Sequence, residues 1–219
     1  MSGFPNSPKL FKGGLVLIDP ESARVLRIIV LQYNSDSLTR TLQLQAAGGE
    51  GGNRSEPLRF KGPAIETFKL DAEIDATDQL EFPDEHRAVV EHGIAPHLAA
   101  IEALAYPSSE QLANLDRQAS SGTLEIAPME APLALFVWGK SRIVAVRPSD
   151  VSITEEAFDP ALNPIRAKVS LSLRVLSVDD LGFAHKGGSL FLAYLQAREQ
   201  LAAKAPAGTL ATFGIGGIP

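Results

Sequence analysis

Residues 132–178 read PLALFVWGKSRIVAVRPSDVSITEEAFDPALNPIRAKVSLSLRVLSV. Three segments of alternating apolar and polar residues are joined by turn residues. Val137-Trp138-Gly139 ends the first, and Phe158-Asp159-Pro160 with Asn163-Pro164-Ile165-Arg166-Ala167 joins the last two. Alternation with a period of two sorts side chains onto the two faces of a strand. Pro, Asp, Asn and Gly between such runs supply the fixed φ and the local side-chain bonds that turns need. The stretch predicts a β-meander with strands near 133–138, 142–155 and 164–178, preceded by a short one near 122–126.

The same pattern extends towards the N-terminus. Residues 10–17 (LFKGGLVL) and 24–33 (RVLRIIVLQY) flank Asp19-Pro20-Glu21-Ser22, a turn signal. β-Branched residues dominate the second of these segments and support a strand. Residues 38–45 (LTRTLQLQ) read as a half-buried strand. In residues 65–74 (IETFKLDAEI), Glu66, Phe68, Leu70, Ala72 and Ile74 share one face and Ile65, Thr67, Lys69 and Asp71 the other. The Gly-rich stretch 46–53 (AAGGEGGN) reads as a flexible loop.

Helical spacing replaces alternation in the middle and near the end. Ile94, Leu98, Ile101, Leu104 and Ala105 recur at helical intervals, with Pro96 in the first turn and Pro107 as a stop. Residues 108–121 read as a second short helix, with Leu112 and Leu115 as its apolar contacts. Residues 189–203 (SLFLAYLQAREQLAA) read as an amphipathic helix with Ser189 as N-cap. Residues 205–219, with four glycines and two prolines, read as a mobile tail.

Composition narrows the function classes. The chain has 219 residues, 45% of them hydrophobic, which is ample for a sizeable core. A net charge of −6 argues against general nucleic-acid binding, which needs Lys and Arg to neutralise phosphates. There is no cysteine, so disulfides, thiol catalysis and Cys-based zinc sites are excluded. The first residues, MSGFPNSPKLFKGG, do not read as a signal peptide, and no apolar run reaches the roughly 20 residues of a membrane span. The expected location is the cytoplasm, with no membrane insertion.

The chemical motifs fail one by one. His92 and His97 are five apart with Gly93 and Pro96 between them, whereas H-E-x-x-H places its two ligands four apart on one helix face. The acidic run Asp71, Glu73, Asp75, Asp78 and Glu81 puts Ala76 and Phe82 where a calcium loop needs Gly and Glu. It reads instead as a strand with a solvated acidic edge. Gly187-Gly188 precedes a helix without a phosphate-loop context and reads as a cap. Ser170, Ser172 and Ser177 lack a nucleophile elbow. No catalytic residue, metal ligand or cofactor site is assigned, and the expectation is a protein that is not an enzyme.

The ordered set Phe136-Val137-Trp138-Gly139, Phe158-Asp159 and Asn163-Pro164-Ile165-Arg166-Ala167 resembles the tube-type adaptor proteins of contractile injection systems, which are phage-tail-like devices. In that family a W-G turn precedes an F-x-x-x-x-x-P-[IV]-R-A hairpin. Residues 27–34 (RIIVLQYN) are similar to the family's opening strand, except that Ser35 stands where the family has proline. The resemblance covers most of residues 9–180. It implies a mainly β (α+β) fold: a tube-type β-barrel of antiparallel strands over residues 1–180, with one or two short helices on its side. Residues 181–219 would then form a C-terminal helix and tail. Many relatives carry a C-terminal LysM module, and residues 181–219 do not read as one.

The resemblance further implies a structural subunit at or near the junction of inner tube, spike and baseplate, within an assembled particle in the cytoplasm that can be released. Its partners would be tube, spike hub, sheath or baseplate subunits and copies of itself. Trp138, Gly139, Phe158, Asn163, Pro164 and Arg166 are its structural motif. Trp138 is expected as a core aromatic closing one end of the barrel, the alternative being an interface or ligand anchor. Arg166 is read either as an ion-pair anchor or as a subunit contact. Two further readings stay open: a small-molecule-binding barrel with an apolar cavity, and a hydrolase with a dispersed active site.

Overall fold

A computed structural model describes residues 10–46, 59–120 and 131–218. Seven strands form one antiparallel sheet. They are β1 (Gly14–Ile18), β2 (Val25–Val30), β3 (Leu38–Gln43), β4 (Ile65–Asp75), β5 (Leu133–Val137), β6 (Ile143–Phe158) and β7 (Pro164–Val175). Their order across the sheet is β2-β1-β5-β6-β7-β4-β3. The meander supplies the centre: β6 and β7 pair from Val146↔Val175 to Phe158↔Pro164, and the N-terminal half of the chain adds strands on both sides.

Alternation decides which side chains meet. In β4, Phe68, Leu70, Ala72 and Ile74 are buried while Lys69, Asp71 and Glu73 are exposed. In β7, Ala167, Val169, Leu171 and Leu173 are buried between outward polar residues. These side chains form the main core with Leu15, Leu17, Phe136, Val144 and Val146. Phe68 of β4 and Phe136 of β5 lie three strands apart in the order, yet their ring centroids are 5.1 Å apart. A flat sheet spaces neighbouring strands about 4.8 Å apart, so this contact requires a strongly curled one.

The helices are α1 (Thr77–Leu80), α2 (Arg87–His92), α3 (Ala95–Glu102), α4 (Ser109–Ser120), α5 (Val178–Leu181) and α6 (Lys186–Ala202). In α3, Leu98 and Ile101 join the core, and Pro96 lies in the first turn. A second, smaller cluster lies on the opposite face of the sheet: Ile18, Leu133, Leu135 and Ala145, with Leu181 of α5 and Leu190 of α6 packed against them.

Several boundaries differ from the sequence reading. The first strand starts only at Gly14, and Leu10 and Phe11 are exposed. Residues 176–178 leave the last strand because Ser177 caps α5: its hydroxyl accepts from the Asp179 N–H, and the Asp180 carboxyl accepts from the Ser177 N–H. The last long helix starts three residues before Ser189. Its N-cap is His185, whose Nδ1 accepts from the Gly187 N–H, and Ser189 instead donates to the Lys186 carbonyl. Gly187 and Gly188 are therefore inside the first turn rather than a cap. A Cβ on Gly188 would overlap the Gly182 carbonyl, so α5 and α6 meet backbone to backbone there. Leu112 of α4 is exposed rather than an apolar contact. The tail contains a 3-10 turn at Leu210–Phe213. The strand expected near 122–126 and residues 47–53 of the expected loop lie outside the described residues.

Candidate functional site: two unlike strand edges

Among the described residues β2 and β3 are the two outermost strands, and each is six residues long. An outermost strand presents a row of unpaired N–H and C=O groups to whatever approaches. The register fixes what each edge shows. Ile28 lies across from Val16, which lies across from Leu135, which lies across from Ala145. Val30, Gly14, Val137 and Ile143 form the next row. Both rows run along the face that holds the smaller cluster. Towards β6, helices α5 and α6 cover the first row; Ile143 in the second row and the β2 end of both rows are bare. Ile28 is 62% exposed, Val30 57%, and Val25 and Ile143 are exposed as well.

β3 carries the opposite chemistry on the corresponding face. Thr39, Thr41 and Gln43 stand there, opposite Lys69, Thr67 and Ile65. On its other face Arg40 lies 3.6 Å from Glu66. Glu66 is only 2% exposed, and two residues of α6 complete its surroundings. The Tyr194 hydroxyl donates to Glu66 Oε1 at 2.9 Å and Arg198 donates to Oε2 at 3.2 Å. Arg198 also lies over the Tyr194 ring. Burial, and then the adjacent Glu66, push the Tyr194 phenol above its ordinary value. This cluster ties α6 to β4 and β3. Alternation placed Glu66 on the apolar face of its strand, but its partners come from residues too distant in the chain for local spacing to reveal them.

Among the described residues, side-chain hydrogen bonds link the chain beyond β2 to the far end of β4 at Gln32. Just beyond β2, the Gln32 side chain donates to the Asp75 carbonyl at 2.6 Å and accepts from the Asp75 N–H at 2.9 Å. A single side-chain amide thus copies the two-way bonding of an antiparallel backbone pair. Asp75 also forms an ion pair with Arg166 at 2.7 Å. The Thr77 hydroxyl and N–H, then the Arg166 guanidinium, hold the Asp75 carboxyl below its ordinary value.

The six motif residues divide between two places. Asn163, Pro164 and Arg166 build a corner. The Asp159 carboxylate accepts from the N–H groups of Ala161 and Asn163 and from the Asn163 side chain, which holds the turn closed; Leu162 there takes a positive φ of 66°. The same Asn163 amide donates to the Glu91 carbonyl, and the Pro164 carbonyl accepts from the Ile94 N–H at the start of α3. Gly93 makes this docking feasible: its φ is +58°, and a Cβ would overlap the Pro164 carbonyl. Arg166 is an ion-pair anchor by its Asp75 contact. Phe158 pairs with Pro164 at the same corner and is 49% exposed. Trp138 is partly buried and stacks on Phe136 at 5.8 Å, with Gly139 at φ +82° in the turn that follows.

Among the described residues no group of three or more His, Cys, Asp or Glu side chains is placed to hold a metal ion, and no helix is long and apolar enough to cross a membrane. An open groove of about 930 Å³ lies where β1 ends and β5 begins, beneath the α3–α4 connection. No family model and no curated protein matches this chain.

Proposed function

We propose that this protein is a non-enzymatic structural subunit of a phage-tail-like contractile injection system, at or near the junction of inner tube, spike and baseplate. The observation that carries the reading is the bare apolar edge at β2. Val25, Ile28 and Val30 lie in water beside unpaired backbone groups, a combination that favours strand or sheet contact with another chain. The unlike edges favour a heterologous, head-to-tail contact, which generates a ring when its rotation closes. The tube-type barrel that the W-G and N-P-I-R-A motifs imply is supported by the curl that brings Phe68 to Phe136 and by the Gln32–Asp75 bridge.

A ligand-binding barrel has less support. Phe68, Phe136, Val144, Val169 and Leu173 fill the core face, and the 930 Å³ groove lies on the flank. The test is deletion of the gene, followed by electron microscopy of purified particles. Missing or sheath-less particles are expected. Intact, contractile particles of normal composition would refute the assignment.

A further inference from the structure

The residues after α6 carry an unusual load. From Ala205 to Ile218 there is no charged side chain, and Leu210, Phe213, Ile215 and Ile218 are all exposed, Phe213 at 76% and Ile218 at 81%. The backbone bonds of this segment run within itself, from Thr212 to Thr209 and from Ile215 to Leu210, or back to Ala202 at the end of α6. Four large apolar side chains in one short segment, none of them part of either apolar cluster of the body, favour a surface elsewhere.

The flank groove has the matching chemistry. Leu17, Leu26, Ala103, Leu133, Ala134 and Leu181 give it apolar walls. His185 also lines it, and among the described residues its buried Nε2 meets no hydrogen-bond partner. Nδ1 accepts the Gly187 N–H, so a neutral ring carries its proton on Nε2 and requires an acceptor there. Arg27 and Arg147 line the groove with no ion pair among the described residues. Two guanidiniums beside the Glu102 carboxylate, on apolar walls, suit a stretch of uncharged extended backbone, whose carbonyls accept and whose N–H groups donate, with apolar side chains as filling. The glycines at 214, 216 and 217 allow such a backbone to enter closely.

We propose that residues 205–218 of one copy dock in the flank groove of a second copy. The occupant is placed on another chain because the tail, as folded, closes in its own 3-10 turn at Leu210–Phe213 past the far end of α6, with its backbone bonds running within itself or to Ala202. His185 at the groove is the N-cap of α6, the tail follows the last turn of that helix, and its 17 residues span about 25 Å. Such a contact is small and gains strength by repetition around a closed or stacked assembly. It does not rest on the strand-edge reading.

The test places p-benzoylphenylalanine at position 213 of the full chain and irradiates a one-to-one mixture of ¹⁴N- and ¹⁵N-labelled protein. Cross-links from position 213 to groove residues, about half of them between differently labelled chains, are expected. Ala103→Arg, an exposed change in the groove wall, lowers their yield about tenfold, the equivalent of about 1.4 kcal/mol. Ile28→Glu at the β2 edge leaves the yield unchanged. Cross-links confined to single chains, cross-links to surfaces away from the groove, or a yield indifferent to Ala103→Arg each overturn the proposal.

Discussion

β2 and β3 have equal length and equal standing in the sheet, yet they face solvent with opposite chemistry. β2 sets Val25, Ile28 and Val30 outward, whereas β3 sets Thr39, Thr41 and Gln43 outward. Soluble proteins commonly protect an edge with polar or charged residues, and β3 follows that pattern. β2 does not, and its apolar face continues inwards beneath α5 and α6 as a packed cluster. One face thus has a covered half and a bare half of the same composition. The difference teaches that apolar content alone does not mark a core; the neighbour that covers it does.

The largest expected effect sets the background for this contrast. Phe136 is 1% exposed and touches both Phe68 and Trp138, so Phe136→Ala should cost about 3–5 kcal/mol. Urea unfolding measures it, and a loss under 1 kcal/mol would place the stability of the sheet outside this aromatic centre. Next comes the β3 side. Arg198→Ala removes one of the donors to buried Glu66 and should cost about 1–3 kcal/mol. Hydrogen exchange should rise in 38–43 more than in 25–30; equal acceleration at both edges would erase the distinction drawn here.

A smaller, pH-dependent effect concerns the place where Gln32 links to Asp75. The folded-state value of Asp75 lies below the ordinary 3.8, so its contribution is present above that value and is lost as pH falls through the lower folded one. The wild type should lose stability as pH drops below about 4, and Asp75→Asn should flatten that limb of the curve. Parallel curves for the two proteins would count against the coupling. The smallest effect on the monomer, and the sharpest on the comparison, is the pair Ile28→Glu and Thr41→Glu. Both should change stability by no more than about 0.5 kcal/mol. In sedimentation or in particle reconstitution, Ile28→Glu should abolish assembly and Thr41→Glu should weaken it less. Equal behaviour of the two would remove the asymmetry.

The strands were legible because alternation is local. Residues 65–74 declare their buried face by themselves, and so does the β6–β7 hairpin. Order across the sheet was not legible, since β1 meets β5 over more than a hundred residues of chain, and edge identity follows only from that order. The short helices α1 and α2 span too few turns to show a helical period. Ser189 resembled an N-cap by residue type, but His185 caps with a ring nitrogen, and the glycines between them are set by close packing on Gly182. For the motif, the turn residues Asp159 and Asn163 announced a hairpin. Its docking on Gly93 and the ion pair of Arg166 with Asp75 depend on contacts between distant segments.

The Gln32 bridge gives the molecule a mechanical direction. Eleven registered pairs join β6 to β7, and a load along those strands must shear them together. At Gln32 two hydrogen bonds from a single side chain span the approach, beside the core cluster that holds Ile29 and Leu31 together with Leu70 and Ile74. The protein has a spine and a seam: along the meander a load must break a whole ladder, while beside Asp75 it meets two side-chain hydrogen bonds and apolar packing. A device that works by sudden contraction would load such a subunit most safely along the spine.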